Sequence, residues 1–142
     1  MKTSKELLSS ITKTAQMGQL GIKSVMEYAQ NSKLKEALHS QLKEYDLIEQ
    51  EALLIADQRG WDIQQLNPAT KIMSQSYARA NLIVGNTDSR IAAMMINGNT
   101  RGMIKSIKNQ HHSSQNDQRI NKLSDKLLSF ENANIQQMQE YL

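Results

Sequence analysis

The chain has 142 residues, 17 basic against 14 acidic for a net charge of +3, a hydrophobic share of 39% and no cysteine. The missing cysteines exclude disulfides, zinc–thiolate sites and thiol nucleophiles, and no apolar run reaches the length of a membrane span. One proline, six glycines and an alternation of apolar residues three and four apart exclude a strand-built fold and point to helices.

Thr3 and Glu6 have capping-box spacing. Behind them Leu8, Ile11, Ala15, Gly18, Ile22, Val25 and Ala29 form one seam, predicting a helix over about 4–30. Asn31 and Ser32 punctuate the chain and can cap a second helix over 32–59, with the stripe Leu34, Leu38, Gln41, Tyr45, Ile48, Ala52 and Ile55. Gly60 supplies a left-handed terminator, and Trp61 can fold back on the last turn. So short a link between the first two helices pairs them antiparallel.

Asn67-Pro68 reads as an N-cap and a first-turn proline, opening a third piece over 68–84 with Ile72, Met73, Ser76, Ala80 and Ile83. Gly85-Asn86-Thr87-Asp88 interrupts it. An unbroken helix from Pro68 to His112 would run about 65 Å, too long for a compact domain of this size. The piece over 68–84 is therefore assigned as a crossover, and 88–112 as the next bundle helix, carrying Ile91, Met94, Met95, Gly98, Gly102 and Ile104. The last helix, over 117–141, begins near Asn116 or Asp117 and carries Ile120, Leu123, Leu127, Phe130, Ile135, Met138 and Leu142. Two hairpins joined by a crossover predict an all-α, up-down-down-up four-helix bundle with a short crossover helix, a single domain over 1–142. A faint duplication accompanies it: Gly21-Ile22-Lys23-Ser24-Val25 is echoed by Met103-Ile104-Lys105-Ser106-Ile107, and Glu44 with Ile48 by Glu131 with Ile135.

Gln16-Met17-Gly18, Gln41-Leu42-Lys43-Glu44-Tyr45, Ser89-Arg90-Ile91-Ala92-Ala93-Met94 with Gly98 and Gly102, and the ending from Glu131 through Ile135 to Tyr141-Leu142 resemble small bacterial ferritin-like bundles over nearly the whole chain. The resemblance implies a ferritin-like fold that self-associates. Active ferritin-like proteins hold two iron ions with one Glu from each of two helices and a Glu-x-x-His pair from each of the other two. Here that pattern maps to Glu44-x-x-Leu47 and Glu131-x-x-Asn134, without either histidine. The first helix has no acidic residue between Leu7 and Met26, and the fourth has none between Ser89 and Asn116. Arg90 and Ala93 stand where relatives carry His and Glu. The expected centre is degenerate.

Glu44 and Glu131 remain as candidates for a vestigial metal site, beside Gln41, Asn97, Asn99 and Asn134, which can form a buried polar layer. Arg101, Lys105, Lys108 and His112 make a basic stripe near a helix C-terminus, a candidate contact for an acidic partner or simply a solvated face. His39, His111 and His112 read as surface residues, and Met94, Met95 and Met103 as core or dimer packing. Gly18, Gly21, Gly98 and Gly102 suggest close approach of helices. The expectation is a non-enzymatic cytoplasmic bundle without a cofactor, acting as a homo-oligomer or on protein partners, with no membrane or nucleic-acid partner. Two alternatives stand beside it. One is a metal-binding or redox protein holding iron or manganese at Glu44 and Glu131; the other is a basic interaction module.

Overall fold

The computed structural model describes residues 2–82, 85–113 and 117–142. Among the described residues five α-helices follow one another: α1 Ser4–Val25, α2 Ser32–Gln58, α3 Ala69–Leu82, α4 Thr87–His111 and α5 Gln118–Met138. Short 3-10 turns follow α1 at Met26–Tyr28 and α5 at Gln139–Tyr141. Among the described residues the only extended pairing is an isolated bridge between Lys2 and Ser113. Ile83 and Asn116, assigned from the sequence to the crossover stripe and the start of the last helix, lie outside the described residues.

The helix ends follow local chemistry. Thr3 Oγ1 accepts from Glu6 N at 3.1 Å while Glu6 Oε2 accepts from Thr3 N at 2.9 Å, completing the capping box. Asn31 Oδ1 accepts from Lys33 N and Leu34 N at the start of α2. At its end Gly60 takes φ +66°, and Trp61 N reaches back to Ala56 O at 2.9 Å. The chain breaks before α4 where Gly85 and Asn86 both take positive φ, so the 68–112 region holds two helices. Asn31→Ala is expected to lower stability by about 1 kcal/mol, because two N–H groups lose their acceptor; urea denaturation measures it.

Hydrogen bonds fix the helix directions. Asp88, in the first turn of α4, accepts from Gln30 N and Asn31 N at 2.8 and 3.0 Å, so α2 and α4 start at the same end. Asn109 Nδ2 donates to Ser10 Oγ at 2.6 Å and Lys2 N to His112 O at 2.7 Å, which sets the start of α1 against the end of α4. The four long helices therefore run up, down, down and up, with α3 as the crossover. Leu8, Ile22, Leu38, Ile48, Ile91 and Leu127 are fully enclosed between them.

Four parts of the sequence reading are corrected. The regular α-helix α1 stops at Val25, earlier than the expected 30, and tightens into the 3-10 turn. In α3 the inward residues are Ala78 and Leu82, while Ile72 and Met73 are 68% and 71% exposed. A 14-residue crossover packs on the bundle along one narrow face, and the spacing of four set by Ala78 and Leu82 leaves Ile72 and Met73 off it. Ile104 and Leu142 are likewise exposed. The two echoed pentapeptides are not equivalent in space: Ile22 is fully buried and Ile104 is exposed, although Ser24 and Ser106 are both buried.

Candidate functional site

Midway along the bundle, α2, α4 and α5 each contribute one polar side chain to a buried cluster. Tyr45 Oη lies 2.7 Å from Asn99 Oδ1 and 3.0 Å from Glu131 Oε2, and all three residues are about 2% exposed. Two glycines make the room. A β-carbon on Gly18 of α1 would fall 2.4 Å from the Tyr45 ring, and one on Gly102 of α4 would fall 2.2 Å from Glu131 Oε2. The Tyr45 ring also packs against Phe130, edge to face at a centroid distance of 4.8 Å.

The cluster assigns its own protons. Asn99 Nδ2 donates to Met95 O at 2.8 Å, so the amide must present its oxygen to Tyr45. The single phenol proton then goes to Asn99, and the contact with Glu131 is satisfied when a protonated carboxyl donates to Tyr45 Oη. Burial supports this state, pushing Glu131 up to about 7 against the smaller opposing pull of the Tyr45 hydrogen bond. Tyr45 is itself raised, first by burial and then by Glu131. Once Glu131 ionises, the phenol proton must turn to it and Asn99 Oδ1 loses its donor. Glu131 Oε1, Gln41 Oε1 and Asn134 Nδ2 are buried without a hydrogen-bond partner among the described residues.

The structure separates the two carboxylates that the sequence singled out. Glu44 lies at the edge of the bundle, 3.5 Å from Lys126 of α5, and Tyr45, its neighbour on α2, takes the inward position opposite Glu131. One residue along a helix turns the side chain by about 100°, enough to exchange edge for interior. Among the described residues no three His, Asp or Glu side chains gather as metal ligands. One carboxyl beside a phenol, an amide and two glycines does not fit a di-iron centre, which needs several hard anionic donors or imidazoles. Of the expected polar layer, Gln41, Asn99 and Asn134 are buried and Asn97 is exposed.

Arg101, Lys105 and Lys108 all reach solvent, as do His39, His111 and His112. Arg101 and Lys105, with Lys13 of α1, border a cleft of about 420 Å³ between α1 and α4, whose floor includes Tyr45, Asn99 and Glu131. Lys105 is held below the ordinary lysine range by desolvation and then by Lys13 and Lys2. The sequence offered one hint of this cleft, the four glycines on two helices otherwise rich in good helix formers. Nothing in it revealed that two of them answer to named side chains and two do not.

No family model matches the chain, and no curated protein matches it. The solved structures that share its fold include two that match over nearly the whole chain. The Escherichia coli stress protein YciF superposes with a TM-score of 0.64 at 15% identity, covering 99% of this chain and 94% of its own. YcfI of Rhodopseudomonas palustris, provisionally called a structural protein, gives 0.60 at 14% identity over 98% and 94%. At such identities the likeness concerns the helical architecture alone.

Proposed function

We propose that this protein is a non-catalytic helical bundle of ferritin-like descent that works by association, with a neutral polar cluster replacing a metal centre. The observation that carries the reading is the set Tyr45, Asn99 and Glu131 under Gly18 and Gly102: a buried hydrogen-bonded network around one carboxyl, whose burial favours the protonated form. Self-association is assigned to the outer face of α3, where Ile72, Met73 and Tyr77 are all more than half exposed. No helix among the described residues is long and apolar enough to cross a membrane, and the reading takes the protein as cytoplasmic, without a nucleic-acid partner.

Elemental analysis of protein purified without chelator tests the metal half. Iron and manganese are expected well below one per chain, and equally low in a Glu44→Ala, Glu131→Ala double variant. Stoichiometric metal that disappears in the variant would overturn the reading in favour of a reduced metal site. Sedimentation tests the other half: an oligomer is expected at micromolar concentration, dissociating in an Ile72→Ser, Met73→Ser variant. A monomer at every concentration would remove self-association.

A further inference from the structure

The cleft between α1 and α4 contains two glycines that the polar cluster does not explain. A β-carbon on Gly21 or Gly98 would meet nothing within 4 Å, so neither is there to let helices touch. Each weakens its helix by about 1 kcal/mol relative to alanine, and together they widen the groove. Its floor includes the buried carboxyl of Glu131, which burial keeps protonated up to about 7. A groove widened by small residues, walled by apolar ones and bordered by cations at one end has the form of a ligand site.

Its two ends differ in chemistry. Because α1 and α4 run antiparallel, Lys13 and Lys105 come together at one end, with Gly21 and Met94 toward the other. Met17, Met95 and Leu66 make the walls apolar between them. Neither wall carries a negative charge: α1 has no acidic residue after Glu6, and α4 none after Asp88. Lys13 donates only to the neutral Gln64 Oε1, and neither it, Arg101 nor Lys105 has an ion-pair partner among the described residues. Glu6 and Asp62 lie in the adjoining hollow beside Lys2 and Lys5, so the cationic end stays net positive.

We propose that this cleft binds an amphipathic anion with a single apolar chain, the head group at Lys13 and Lys105 and the chain lying over Gly98 and Gly21 toward Met94. The volume of about 420 Å³ suits a small ligand. An anion would also relieve the repulsion among Lys105, Lys13 and Lys2. The proposal is independent of whether the bundle self-associates.

Calorimetric titration with dodecanoate below its micellar concentration tests it, with dodecanol as the uncharged chain of equal length. Saturable binding of one dodecanoate per chain is expected, with dodecanol about tenfold weaker. A Lys13→Glu, Lys105→Glu variant should weaken dodecanoate by tenfold or more and leave dodecanol unchanged. Gly98→Leu, which fills the groove, should abolish binding of both, with Gly21→Leu as a second plug; circular dichroism establishes that each is folded. No saturable binding of dodecanoate, equal affinity for the alcohol, or undiminished binding in a folded Leu variant would each overturn the proposal. If neither Leu variant folds, the charge-reversal and alcohol comparisons decide it.

Discussion

Replacing Glu131 with Gln is expected to raise the melting temperature near pH 8 by roughly 10 °C and to change it little near pH 4.5. The carboxyl keeps its proton in the folded state up to about pH 7, whereas the unfolded chain releases it near 4.5. Between those values the folded state binds more protons than the unfolded one, so stability falls as pH rises and then levels off above the folded value. A shift of that size corresponds to roughly 3 kcal/mol lost across the window. The amide of Gln cannot ionise, yet its NH₂ can donate to Tyr45 Oη as the acid O–H does, so the variant keeps the network at every pH. The measurement is the difference in stability between wild type and variant from about pH 4.5 to 8, which cancels all other titrating groups. A difference that stays flat would mean that Glu131 ionises as freely as in the unfolded chain, and the neutral cluster would have to be abandoned.

The same carboxyl shows how far the sequence can be read. Helix placement was legible because caps and seams are local: Thr3, Asn31, Gly60 and Gly85 each act through neighbours a few residues away. Even the order of helices followed from the lengths of the links. Tyr45 stood on the inward stripe of α2 in the sequence, and it is buried. Its neighbour Glu44 drew attention as a ligand because it is a carboxylate, yet it lies at the edge beside Lys126. What the phenol meets was harder: Gly18 on α1 leaves a ring-sized gap opposite it, and Asn99 and Glu131 lie at its hydroxyl. Those partners are distant in sequence and could not be read from α2 alone. The apolar residues of α3 misled for a related reason: periodicity marks a face but does not say that the face will be covered.

The four glycines of the cleft carry the sharpest contrast the fold provides. Alanine at Gly21 and Gly98 is expected to stabilise by up to about 1 kcal/mol each, since each gains helix propensity and its β-carbon meets nothing. Alanine at Gly18 should instead cost about 2 kcal/mol net. Its β-carbon would lie within 2.6 Å of three ring atoms of Tyr45, a ring that Phe130 and Asn99 prevent from swinging away, and such overpacking outweighs the gain in propensity. Gly102→Ala should fall between, at a cost of about 1 kcal/mol, because the group it strikes is the end of a flexible side chain that can retreat into the cleft. That retreat takes Glu131 away from Tyr45 and into water, so Gly102→Ala should also erase the Glu131-dependent loss of stability toward pH 7. Urea denaturation of the four variants near pH 5 and pH 8 reads both effects at once. Should all four variants be stabilised, helix propensity alone would account for the glycines, and neither the Tyr45 gap nor the Glu131 cradle would constrain the bundle as described.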